Sequence, residues 1–119
     1  MKIEKLVGDK LVHSAEEVRE SSDKYEELVL LSRDMTQWNK VLTEKLGPPL
    51  KSTKEMAHRD FSEGIPLQKR DAAMNRVNAL GGVRHGQTIY FGSCDSCVIL
   101  IMLWPWQDQT RITLKKVIV

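Results

Sequence analysis

Cys94, Asp95, Ser96 and Cys97 form a C-x-x-C, and these are the two cysteines of the 119-residue chain. Two thiols at that spacing serve either as half of a zinc knuckle or as a redox pair. A knuckle needs two further ligands, and the sequence has no second C-x-x-C. Its histidines are His13, His58 and His85, and of these only His85 lies close by, on the strand leading into the same hairpin. A redox pair wants its first cysteine at a helix N-terminus, where the dipole favours the thiolate. Cys94 instead precedes another strand, beside Asp95, whose negative charge disfavours a thiolate. The pair therefore reads as a loop cysteine and a buried strand cysteine. A thiol- or metal-dependent enzyme or redox protein using Cys94, Cys97 and His85 is the alternative.

Other catalytic patterns are weaker. Gly92-Ser93-Cys94 is not the G-x-S-x-G elbow of a nucleophilic serine. His85 could act as a base only with a carboxylate to orient it. Asp95 and Asp108, in neighbouring turns, are badly placed for that. Asp60 and Glu63 share a helical face and read as a solvated pair. Leu80-Gly81-Gly82-Val83-Arg84 lacks the glycine pattern and the following helix of a phosphate loop. No cofactor is expected, and the chain does not read as an enzyme.

Trp104-Pro105-Trp106 is the other unusual feature. Two tryptophans around a proline at a strand end are costly to expose and make good binding anchors. With Arg84, Arg111, Lys115 and Lys116 they could stack bases of a single strand. Packing over the sheet edge is the preferred reading. Trp106 is the favoured binding residue, because Trp104 continues the buried strand. The binding hypothesis places Trp106, Arg111 and His85 together on an exposed side of the sheet.

Charge supports a modest view of the partners. Residues 1–60 hold 11 Lys and Arg against 12 Asp and Glu, and residues 61–119 hold 7 against 4, which gives the overall +2. That is far from the clustered basic surface of a nucleic-acid binder, so nucleic acid is not expected. The N-terminus lacks a secretory pattern, and no apolar run approaches the roughly 20 residues of a membrane span. A cytoplasmic location is expected, where both thiols stay reduced.

The elements that must position these residues start from Cys97–Trp104, eight apolar residues with no polar break. A strand with one wet face alternates, so this one has both faces covered. The flanking segments 83–91 and 111–119 alternate imperfectly and well, respectively, giving a three-stranded antiparallel meander. Upstream, Gly8-Asp9 between two short apolar runs predicts a β-hairpin. Ser14-Ala15-Glu16-Glu17 is a capping box that opens a long helix, in one piece or two, ending at Gly47-Pro48-Pro49. Leu28, Leu31, Met35, Trp38 and Leu42 form its apolar stripe. Ser52–Glu55 opens a short helix, and Pro66 another that ends at Gly81-Gly82.

The prediction is one α+β domain spanning residues 1–119: an N-terminal hairpin, a long amphipathic helix and shorter helices on one face of an antiparallel sheet. The uncovered face of the central strand would then be an association surface. The expected function is non-catalytic, either protein association with a homodimer or the holding of a small ligand between sheet and helices.

Overall fold

The strand Cys97–Pro105 has buried side chains on both of its sides, and the rest of the chain is arranged to cover them. The computed structural model describes residues 1–58, 65–84, 86–94 and 97–119. In chain order the elements are α1 (Ile3–Val7), α2 (Asp9–His13), β1 (Glu17–Ser21), β2 (Tyr25–Leu31), α3 (Met35–Leu46), α4 (Thr53–His58), α5 (Leu67–Ala79), β3 (Thr88–Cys94), β4 (Cys97–Pro105) and β5 (Arg111–Ile118). The five strands form one antiparallel sheet in the order β1-β2-β5-β4-β3. The protein is thus a mixed helix and sheet fold, with the expected β3-β4-β5 meander forming one side of the sheet.

Side chains alternate across a strand, so β4 divides its apolar residues between two cores. Ile99, Ile101 and Leu103 pack with Ile3 and Leu6 of α1 and Trp38, Leu42 and Leu46 of α3. Val98, Leu100 and Met102 pack with Met56 of α4 and Ala73 and Val77 of α5. Helices therefore lie on both faces of the sheet, which corrects the expectation of one covered face. The physical reason is the composition of β4: one helical layer would leave half of an unbroken apolar strand wet. Whichever face of β4 was expected to attract a second copy, Val98, Leu100, Met102 and Trp104 or Cys97, Ile99, Ile101 and Leu103, its residues pack against helices of the same chain.

The N-terminal predictions need two corrections. Residues 2–12 are no hairpin; Gly8, at φ 93°, separates two five-residue helices. Ile3 and Leu6 sit three residues apart, so one helical turn brings both into the core. The long helix over 15–46 is also absent. Its first half is the β1–β2 hairpin, and only Met35–Leu46 is helical. Tyr25-Glu26-Glu27-Leu28-Val29-Leu30-Leu31 favours helix by composition, but pairing with β5 at seven positions overrides that preference. Ser14 does not open a helix: its hydroxyl donates to the Leu11 carbonyl at 2.6 Å, behind α2. Ser22 closes the β1–β2 turn through hydrogen bonds with the Tyr25 backbone. Ser52 does cap α4, accepting from the Glu55 N–H at 3.1 Å.

One polar group crosses the first core. Lys116 points to the α1 side of β5, 1% exposed, and its ammonium stands 3.0 Å from Glu26 Oε1 on the neighbouring strand. It also donates to the carbonyls of Met1 and Asp23, both at 2.7 Å. Three protons thus meet three close acceptors. Glu26 in turn accepts from the Ile3 N–H at 2.6 Å. The pair fastens the first residues of the chain and the β1–β2 turn to the last strand.

Removing one partner of such a pair strands a buried charge, so Lys116→Met should cost about 3–5 kcal/mol in urea unfolding. Replacing both partners by apolar residues often restores stability. Here Glu26→Leu with Lys116→Met should fall short of wild type, because Ile3 N–H and two carbonyls lose their partners. A double variant as stable as wild type would show that those backbone contacts contribute nothing.

Candidate functional site

On the second face of the sheet α4 and α5 cover one apolar cluster, and beyond it Val29 is buried beside Thr113. Beyond Val117 the side chains of β5 on that face are Lys115, Thr113 and Arg111, all partly exposed. Trp104 and Glu27, on the adjoining strands, are partly exposed as well. The exposed part of this half of the face is mainly polar and aromatic. It runs to the sheet end where residues 106–110 join β4 to β5.

Trp106 is the centre of that end. Its indole N–H donates to Thr113 Oγ1 at 2.9 Å, which fixes the ring over β5. The guanidinium carbons of Arg19 and Arg111 stand 5.7 and 5.9 Å from the ring centroid, within cation–π range. Trp104 has a comparable partner, the Lys115 ammonium at 4.3 Å from its centroid. Trp104 is therefore no simple continuation of the buried strand. Its face carries a cation and its body is half-buried.

The loop that presents Trp106 is tightly tied. Trp106 N–H donates to the Arg111 carbonyl at 2.9 Å, and Gln109 N–H donates back to the Trp106 carbonyl at 3.0 Å. Gln109 takes a left-handed conformation at φ 61° to make the turn. Asp108 accepts from both the backbone and the hydroxyl of Thr110, and those bonds hold its carboxyl below the usual carboxylate range.

The cations around Trp106 are neutralised. Arg111 grips Glu16 with two nitrogens, one of them at 2.7 Å, in a bidentate pair. That contact lowers the Glu16 pKa and raises that of Arg111. Arg19 lies 3.4 Å from Glu17 and 3.7 Å from Glu27. Glu27 also accepts from the Tyr25 hydroxyl at 2.7 Å, and burial followed by this bond pushes the Tyr25 phenol up.

Beside Trp106 opens a cleft of about 720 Å³. Arg84, Gln87, Gln107, Gln109 and Ile112 share its walls with the indole. The Gln87 carbonyl oxygen accepts from the Arg84 N–H at 2.7 Å and holds that backbone in place. The Arg84 guanidinium makes no ion pair with a described residue, and no carboxylate is among the described residues that line the cleft.

The structure brings together Trp106 and Arg111 of the residues selected from the sequence. His85, Asp95, Ser96, Asp60 and Glu63 lie outside the described residues. Cys94 stands opposite Cys97 in the β3–β4 register, and Cys97 packs partly buried against the first core. Thr88, the first residue of β3, faces Leu103. The chain entering β3 is thus at the other end of the strand from Cys94, roughly 20 Å away at the usual rise per residue. Lys116, named with the surface cations, is buried on the opposite face instead. Among the described residues no three His, Cys, Asp or Glu side chains assemble as a metal site, and no helix is long and apolar enough to cross a membrane. Arg19, Glu16 and Thr113 were missed. The first two fall in a segment whose capping pattern reads as helix, so their strand neighbours were out of sight.

The lowered Glu16 pKa gives the site a pH signature. Folding favours the ionised form, so this contribution is present above the ordinary glutamate range. It disappears as pH falls through the lowered folded value. The Trp106 indole N–H resonance, assigned with Trp106→Phe, should hold steady from neutral pH to the ordinary glutamate range and shift only below it. A midpoint at or above that range would detach Arg111 and Glu16 from the indole.

Comparison of the chain with protein-family models, with curated proteins and with solved structures finds no match, so a functional reading rests on the residues and geometry described above.

Proposed function

We propose that this protein is a non-catalytic binding module, and that its ligand is a small molecule taken into the cleft beside Trp106. The observation that carries the reading is the placement of Trp106: half-exposed, hydrogen-bonded to Thr113, adjacent to two guanidinium groups and bordering a cleft of about 720 Å³. That volume falls within the roughly 300–1,000 Å³ of small-molecule sites. A ring locked before binding loses little conformational freedom on binding, which is what a recognition anchor requires. Self-association, the other half of the sequence expectation, has lost the apolar β4 surface that motivated it.

A thermal-shift screen against chemically diverse small molecules tests this without presuming the ligand. Compounds that raise the melting temperature of the wild type should fail to do so for Trp106→Ala. The unliganded variant should melt within a few degrees of wild type, since surface substitutions change stability little. Hits that stabilise Trp106→Ala equally would remove the cleft as the site.

The thiol reading keeps one favourable observation. Directly opposed residues of an antiparallel pair have Cα atoms about 4.5–5.5 Å apart, a span a disulfide can bridge, and Cys94 and Cys97 are such a pair. The two readings separate at Cys94→Ser, which should leave every Trp106-dependent shift intact if the module is a binder.

A further inference from the structure

The cleft beside Trp106 offers three kinds of contact, and together they describe a ligand. The first is a flat aromatic face. Indole stacks on any planar π-system, and such stacking is tolerant of the identity of the partner ring. Thr113 fixes the ring by its N–H, the Arg19 and Arg111 guanidinium groups stand over it, and a planar ligand would stack on the part of the indole that borders the cleft. The second is a set of amides. Gln107 and Gln109 each present a donor and an acceptor on one planar group, the combination that reads the edge of a nucleobase. The third is a cation that has no counter-charge among the described residues. Arg84 makes no ion pair with a described residue, whereas Arg111 is held by Glu16 and Arg19 by Glu17 and Glu27. A guanidinium free of a carboxylate partner fits one phosphate in a bidentate grip.

We propose that this cleft binds a mononucleotide, with its base stacked on Trp106, its base edge against Gln107 and Gln109, and its phosphate on Arg84. The inference rests on the small-ligand reading and gives that ligand a chemical class. The charge distribution selects a free nucleotide over a nucleic-acid strand. A strand needs a run of uncompensated cations to follow successive phosphates, and here every cation beside Trp106 except Arg84 is matched by a glutamate. Gln87 acts as a positioning residue: its side-chain oxygen holds the Arg84 backbone at 2.7 Å.

Calorimetric titration of the full chain with AMP, adenosine, inorganic phosphate and a short oligoadenylate provides the test. AMP should bind saturably at one site, and adenosine should bind roughly tenfold more weakly, having lost the charge-assisted contact. Arg84→Gln should bring AMP to the level of adenosine and leave adenosine unchanged. Trp106→Ala should weaken both by about tenfold or more, and Trp106→Phe should retain most of the affinity through its remaining ring. Circular dichroism of each variant guards against loss of fold. Three results would overturn the assignment: no saturable AMP binding at millimolar concentration, AMP binding unchanged in Arg84→Gln, or oligoadenylate binding more tightly than AMP with a steep salt dependence. If AMP fails while other compounds still give Trp106-dependent thermal shifts, the nucleotide assignment falls and the small-ligand reading stands. If those shifts are absent too, both fall.

Discussion

Burial of β4 on both faces is the constraint from which the architecture follows. From Cys97 to Trp104 the strand has no polar side chain to turn toward water, and each fully buried Leu, Ile or Met is worth about 1.5–3 kcal/mol. A sheet that holds it as an interior strand must be covered twice. The chain supplies α1 and α3 for one face and α4 and α5 for the other. Antiparallel sheets usually leave one face in water, and here that freedom is displaced sideways. The wet part is no longer a whole face but the polar stretch of one face over β5, β2 and β1. The site therefore lies where the helical cover stops.

Two of the buried polar groups of the first core show different solutions to the same cost. Lys116 is nearly inaccessible, yet its ammonium meets a carboxylate and two carbonyls from three separate parts of the chain. A charge can be kept in a core only when every proton has an acceptor. Those acceptors exist only when α1, the β1–β2 turn and β5 are all in place. Lys116 thereby couples the first residues of the chain to the last strand, in a way an apolar residue could not. The Trp38 indole N–H, equally buried, has no hydrogen-bond partner among the described residues. It fills volume at the centre of the α3 interface, and its ring burial offsets an unmade bond worth about 1–3 kcal/mol.

The C-terminal half of this fold was legible and the N-terminal half was not. In residues 88–118 two periodicities agree: an unbroken apolar run for the central strand and alternation in Arg111–Ile118. In residues 25–31 they conflict. Leu28 and Leu31 continue at helical spacing into Met35, Trp38 and Leu42, while Glu26, Leu28 and Leu30 alternate onto one face of the sheet. Leucine and glutamate favour helix, so local preference points one way and pairing with β5 the other. The same conflict hid Arg19 and Glu16, whose position against Trp106 depends on β1 being a strand. Trp106 itself was legible because an indole beside a proline in a polar turn has a cost that must be offset somewhere. Lys116 was not, since a strand at the sheet interior can turn one charged residue inward without any local mark.

Under the proposed binding role, the charge pattern around the indole decides what kind of recognition this surface can perform. Were Arg19, Arg111 and Arg84 all free, the end of the sheet would be a cationic patch, attracting any polyanion in proportion to its charge. Glu16, Glu17 and Glu27 cancel two of the three. The paired guanidinium groups keep their places beside Trp106 and support its orientation, but they add little long-range attraction at physiological salt. Among the described residues, what remains is Arg84, a cation without an ion pair, beside one rigid ring. Affinity at such a site must come from simultaneous stacking, amide contacts and a single charged hydrogen-bond pair, none of which is strong alone. Geometry thus dominates over charge. The tied turn from Trp106 to Arg111, with Asp108 locked by Thr110, supplies that geometry before any ligand arrives.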